Sequence, residues 1–198
     1  MELKNDQFSR EMESIAGRVD LKLKENEQVL AIASLDKGTP KDVLTANLAV
    51  NWSRYLKVLV LDLNFGKTPF QSVFDGSDES GSIYDFLISR ENAIPRPMQT
   101  QFENLYFLPA GENIDNVDLR LQSKRFTQLL EYLRKKFDRV IINGISTDKF
   151  DNQIIPLKIS DTSVIVISKK FSKKKKISKM AATIQDLKIE NLGSVYVY

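Results

Sequence analysis

The chain has 198 residues, 42% of them hydrophobic and 28% charged, and with only 8 Gly and 6 Pro it fits one globular domain rather than a disordered chain. It contains no Cys and no His, which excludes thiol nucleophiles, imidazole acid/base catalysis, disulfide frameworks and the usual zinc ligand sets, so no zinc site is expected. The 29 basic residues are nearly cancelled by 26 acidic ones, and a net charge of +3 is too small to argue by itself for a nucleic-acid partner.

Residues 1–27 are charged throughout and read as an amphipathic helix followed by a polar linker, with no apolar stretch of signal-peptide or membrane-span length. A cytoplasmic location is the expectation. From residue 28 onward, short runs rich in Val, Ile and Leu alternate with segments of helical period. That alternation predicts an α/β fold, a three-layer α/β/α sandwich around a mostly parallel sheet, over 28–198.

The predicted strands are 28–34, 57–63, 104–110, 138–144, 162–168 and 193–198, each read as buried on both faces. Helical spacing places Val43, Leu44, Leu48, Val50 and Tyr55 on a helix after the first strand. It places Phe126, Leu129, Leu130 and Leu133 on another before the fourth, and predicts a third over about 175–187. Two irregular stretches, 65–86 and 146–161, follow strands, and the loops leaving the carboxyl ends of strands are where such sheets bind ligands.

The first strand, loop and helix read AIASLDKGTPKDVLTANLA. Their order is that of a P-loop, in which glycines permit a nest of backbone N–H groups around phosphate, a Lys neutralises charge and a hydroxyl binds magnesium. Ile32, Ser34, Gly38, Lys41, Ala46, Asn47, Leu48 and Ala49 match, without a gap, the deviant Walker A pattern I-T-S-x-x-P-G-x-G-K-S-T-x-x-A-N-L-A. A second ungapped series runs through Leu108, Pro109, Ala110, Gly111, Ser123, Phe126, Leu129, Leu130, Leu133, Phe137, Asp138, Val140, Ile141 and Ile142. On these residues the chain resembles the bacterial tyrosine kinases of capsule and exopolysaccharide synthesis, a branch of the deviant Walker A P-loop ATPases that also includes the partition and septum-site ATPases.

The resemblance implies MgATP or MgADP as ligand, with Gly38, Lys41 and Asp42 at the phosphate positions and Asp62 as a remaining catalytic carboxylate. Departures fall on those same parts. Pro40 stands in place of the second glycine and offers no N–H. Asp42 and Val43 stand in place of the Ser/Thr pair, and Asn64 and Asn143 replace two metal-facing carboxylates by amides that carry no charge. Losing two charge-assisted hydrogen bonds costs about 3 to 6 kcal/mol, on the order of 100- to 10,000-fold in affinity. Asp42, pointed at a polyphosphate, is expected to repel it. The expectation is therefore that no nucleotide cofactor is used, ATP or ADP with magnesium binding only if the altered site is still competent. A plain strand-to-helix turn, with Pro40 at the first helical position, is the competing reading of KGTPK, and a carboxylate capping backbone amides is that of Asp62.

Other family features are replaced as well. Ser9 and Met12 stand where the N-terminal helix of the family carries arginines, the strand ending Val195, Tyr196, Val197 lacks the family's adenine-binding Asn, and Tyr196 and Tyr198 read as strand residues rather than phospho-acceptors.

Seven lysines, Lys169, Lys170, Lys173, Lys174, Lys175, Lys176 and Lys179, follow the fifth predicted strand on the rim that carries the loop after the first. They read either as a solvated loop and helical turn or as a surface for anionic lipid or an acidic partner. With Phe171 alone among them, a nucleic-acid stacking surface is disfavoured. The resemblance implies a membrane-anchored polysaccharide co-polymerase or adaptor as partner, at the inner face of the membrane. The expected function is that of a non-catalytic regulator of polysaccharide synthesis and export. The alternatives are a weak or partner-activated ATPase or tyrosine kinase, and a partition-type relative that binds DNA through the lysines.

Overall fold

The computed structural model of the protein describes residues 2–66, 70, 73, 74, 81–89 and 94–197. In chain order it runs α1 (Glu2–Lys22), β1 (Val29–Ser34), α2 (Lys41–Ser53), β2 (Val58–Asp62), α3 (Ile83–Ile88), β3 (Met98–Gln99), β4 (Leu105–Leu108), α4 (Val117–Leu121), α5 (Lys124–Arg134), β5 (Arg139–Asn143), a 3-10 turn (Phe150–Gln153), α6 (Ile154–Ile159), β6 (Thr162–Ser168), α7 (Lys174–Asp186) and β7 (Gly193–Val197).

The strands form one seven-stranded sheet in the order β3-β4-β2-β5-β1-β6-β7, with every pair parallel except β3 with β4. The predicted α/β sandwich is the observed fold. Its central strands alternate between two cores, as a pleat covered on both faces requires. Val29, Ala31 and Ala33 of β1 face Leu129, Leu133 and Leu157 on one side. Leu30 and Ile32 face Leu44, Leu48 and Trp52 on the other, where α1 also contributes Ala16 and Val19. The Ser123 hydroxyl caps α5 by accepting the Phe126 N–H at 3.2 Å, so the apolar stripe of that helix starts at a defined point.

Four expectations need correction. A short antiparallel strand, β3, was not foreseen. β7 is an edge strand whose residues are half-buried or exposed, with Tyr196 52% exposed, because β6 lies on one side of it and no described strand on the other. Tyr55 lies beyond the end of α2 and is exposed, its hydroxyl donating to Asp20 of α1 at 2.7 Å. Pro40 is the N-cap of α2 and not its first helical residue, which is Lys41. Tyr198 and parts of the 65–86 loop lie outside the described residues.

Parallel register fixes where the chemistry gathers. Ile32 of β1 and Asp62 of β2 both pair with Asn143 of β5, so the ends of three adjacent strands come level at the carboxyl edge, beside the start of α2.

Candidate functional site

Lys41 is the centre of this edge. Its side chain is fully buried, and its ammonium donates to Asp42 Oδ1 at 2.7 Å and to Asn143 Oδ1 at 3.0 Å. Thr45, one turn further along α2, sets its hydroxyl 3.1 Å from the Lys41 carbonyl and 3.3 Å from the same Asn143 oxygen. The charge of Lys41 is thus met inside the chain. Asp42 is the partner that Lys41 takes up.

Asn143 links this pair to Asp62. Its Nδ2 donates to Asp62 Oδ1 at 2.8 Å, and that oxygen also accepts the Asn64 N–H at 3.1 Å. An amide has a donor end and an acceptor end, so Asn143 bridges an ammonium and a carboxylate at once. A carboxylate at 143 would face Asp62 with like charge and would call for a metal or a proton between them. Burial pushes the Asp62 carboxyl up to about 6, against the lowering effects of the Asn143 hydrogen bond, the Lys41 charge and the Asn64 N–H; the Asp42 carboxylate adds to the rise. Among the described residues Asp62 Oδ2 has no hydrogen-bond partner. The amide-capping reading of Asp62 is therefore met at one oxygen and not at the other.

Asn64 is also buried, and its Oδ1 accepts the Ser146 N–H at 3.2 Å, tying the loop after β2 to the loop after β5. Val43 is 45% exposed. Pro40 has φ −78° and ψ 53°, and α2 begins without a side-chain cap.

The β1–α2 loop is covered from the other side. A Cβ built on Gly38 would lie 3.1 to 3.4 Å from atoms of the Phe171 ring, so the segment after β6 packs directly on the loop's glycine. Asp36, buried in the same loop, accepts the Ser172 hydroxyl at 2.7 Å and the Lys176 ammonium. Lys176 also reaches the Asp148 carbonyl at 3.3 Å, and the Asp148 carboxylate accepts the Lys37 N–H at 3.2 Å.

The lysine run does lie on the rim of the β1–α2 loop, but it is not one uniform surface. Lys176 and Lys179 are engaged, the latter with Asp151 at 3.3 Å. Lys169, Lys170, Lys173, Lys174 and Lys175 are exposed. Sequence reading passed over Asp36, Thr45 and Ser172. The i,i+4 spacing of Lys41 and Thr45 was a usable signal, whereas Asp36 and Ser172 are joined only by the fold.

A family model described as AAA domain matches residues 27–194. A relative from Streptococcus pneumoniae serotype 4, tyrosine-protein kinase CpsD, is 26% identical over 153 residues, covering 77% of this chain and 67% of its own length. A Staphylococcus aureus relative, putative tyrosine-protein kinase CapB, is 23% identical over 205 residues, covering 96% of this chain and 90% of its own. Among solved structures, the VpsO kinase domain superposes with a TM-score of 0.81 at 16% identity over 99% of this chain and 98% of that one. At that identity the superposition speaks to fold.

Proposed function

We propose that this chain, which belongs to the AAA-domain family and is a P-loop ATPase-like protein of the bacterial tyrosine kinase type, works without phosphoryl transfer. It acts as a regulatory binding module of capsular or exopolysaccharide synthesis and export, engaging the cytoplasmic part of a membrane-anchored adaptor. Among the described residues no helix is long and apolar enough to cross a membrane, so attachment in this reading runs through a partner or the surface.

The observation that carries the reading is the burial of Lys41, its charge already met by Asp42 and Asn143. Phosphoryl transfer depends on placing positive charge and metal against the phosphates. The residues present do not fit that task. The lysine is turned inward, Asp42 supplies the anion, Pro40 withholds an N–H from the nest, and Phe171 packs on Gly38. A nucleotide would have to break the Lys41–Asp42 pair and bring two carboxylates, Asp42 and Asp62, close to its own charge.

One observation favours a second reading. Asp62 Oδ2 is buried with no partner among the described residues, and burial raises the carboxyl to about 6, which suits a base completed by residues from an activating protein. Radiolabelled MgATP incubated with the pure protein, alone and with the cytoplasmic segments of the adaptor, separates the two. The proposal expects adaptor binding and no label on tyrosine in either case; label that appears with the adaptor and disappears in Lys41→Ala overturns it.

A further inference from the structure

The lysine run divides into an anchored part and an outward part, and the division identifies a surface. Lys176 and Lys179 are tied to Asp36 and Asp151. The turn before them is braced from within: the Ser172 N–H donates to the Ser168 carbonyl at 2.8 Å, the Lys170 N–H donates to the Ser168 hydroxyl at 3.2 Å, and the Ser172 hydroxyl donates to Asp36. The segment is thus held firmly on the β1–α2 loop.

What this braced turn presents outward is cationic and aromatic. Lys173, Lys174 and Lys175 are exposed, and no carboxylate pairs with them among the described residues. They occupy the N-cap and first two positions of α7, whose first turn carries no acidic residue. Three ammonium groups at the positive end of a helix repel both one another and the helix dipole, so the arrangement works against stability and leaves a positive field facing solvent. Beside them Phe171 is 45% exposed, with one edge on Gly38 and the Lys170 ammonium 5.4 Å from its ring centroid. Lys37, next to Gly38, adds another exposed cation to this neighbourhood.

We propose that the rim formed by Lys170, Phe171, Lys173, Lys174 and Lys175 is a docking surface for an anionic lipid bilayer. The lysines meet the plane of lipid phosphates and the Phe171 ring enters the boundary between headgroups and acyl chains beneath it. A bilayer offers negative charge with an apolar layer immediately behind it, which is the combination this rim presents; a nucleic acid or an acidic peptide would answer the lysines and make little use of one lone ring. Binding through a few lysines and one ring is weak, reversible and sensitive to salt. The surface therefore acts as a second attachment beside a protein partner. It does not depend on the state of the nucleotide site: nucleotide binding would overturn the proposed function and leave this inference standing.

The test is co-sedimentation of the full chain with vesicles of phosphatidylcholine, alone and mixed with phosphatidylglycerol. Retention is expected on the mixed vesicles only, and falling as salt is raised. Each lysine near such a surface strengthens binding about fivefold, so K173Q/K174Q/K175Q is expected to lose on the order of 100-fold. Phe171→Ala is expected to lose several-fold, and Phe171→Trp to give a blue-shifted emission with mixed vesicles, against a constant background from the buried Trp52. Removing the three lysines relieves repulsion at the start of α7, so circular dichroism should match the parent and the Tm of K173Q/K174Q/K175Q should not fall below it; Phe171 also packs on Gly38, so Phe171→Ala is assayed well below its own Tm. No retention at low salt overturns the proposal. So does retention indifferent to the triple substitution, or affinity for DNA or polyglutamate that exceeds vesicle binding and is unchanged in Phe171→Ala.

Discussion

The two ends of the sheet each hold a buried or half-buried acid near a base, and they are built to opposite effect. At the amino ends of β1 and β6, Asp161 takes a bidentate pair from Arg134 at 2.7 and 2.6 Å and also accepts the N–H groups of Gln28 and Val29 at 2.8 and 2.7 Å. Burial alone would raise its carboxyl, but Arg134 and the two backbone amides outweigh that and hold it below the usual carboxylate range. At the carboxyl ends, Asp62 has more burial and fewer donors, and its carboxyl rises to about 6. One acid is satisfied as a clasp on the fold. The other has one oxygen without a partner among the described residues, which the proposed closure of a ligand site on the chain's own groups would leave.

The largest effect is expected from reopening the carboxyl end. Restoring the family residues together, as P40G/D42S/V43T/N64D/N143D, frees Lys41 from Asp42, returns an N–H to the loop and supplies metal-facing carboxylates. MgATP affinity should rise on the order of 100- to 10,000-fold, read by calorimetry. A rise absent from a folded variant would mean that the closure of the site rests on parts other than these five.

Next comes the clasp. Asp161→Ala leaves Arg134 and two backbone N–H groups without their acceptor and should cost about 2 to 4 kcal/mol in chemical denaturation. Because the folded carboxyl is depressed, its contribution is present above the unfolded value near 4 and lost as pH falls through the folded one. The deficit of the variant should therefore shrink in acid.

Asp62→Asn should do the reverse. The folded carboxyl is raised, so its protonated form favours the fold below about pH 4, and this advantage is lost as pH rises through about 6. At pH 7.5 the neutral amide should stabilise the chain by about 1 to 3 kcal/mol, and at pH 4 the gain should vanish. A loss at neutral pH would show that the Asp62 charge is needed by Lys41, weakening the contrast between the two ends.

Much of this architecture is legible before folding. The apolar runs of β1, β2, β5 and β6 are long enough to mark doubly buried strands, and Ser123 marks the start of α5. Met98–Gln99 carries no such signal: two residues near Pro95 and Pro97 become a strand only because β4 offers them partners. The altered positions 40, 42, 43, 64 and 143 are equally legible as residue types. What they do instead is not, because the partner of Lys41 in β5 lies 102 residues away and arrives through strand register. The lysine run shows the same limit: seven like charges look equivalent along the chain, and only the placement of Asp36 and Asp151 sorts them.

The smallest effect belongs to the rim. Lys179 and Asp151 are both well exposed, so Lys179→Gln should change stability by less than about 0.5 kcal/mol, measured by denaturant midpoint. A larger loss would mean that the segment on the β1–α2 loop is braced by its outer pairs as well as by Asp36.

The central claim is that the phosphate site is occupied by the chain's own charges, and calorimetric titration of the unaltered protein with MgATP and MgADP addresses it most directly. The account predicts no measurable heat of binding at micromolar nucleotide. Micromolar, magnesium-dependent binding that is abolished by Lys41→Ala would contradict it.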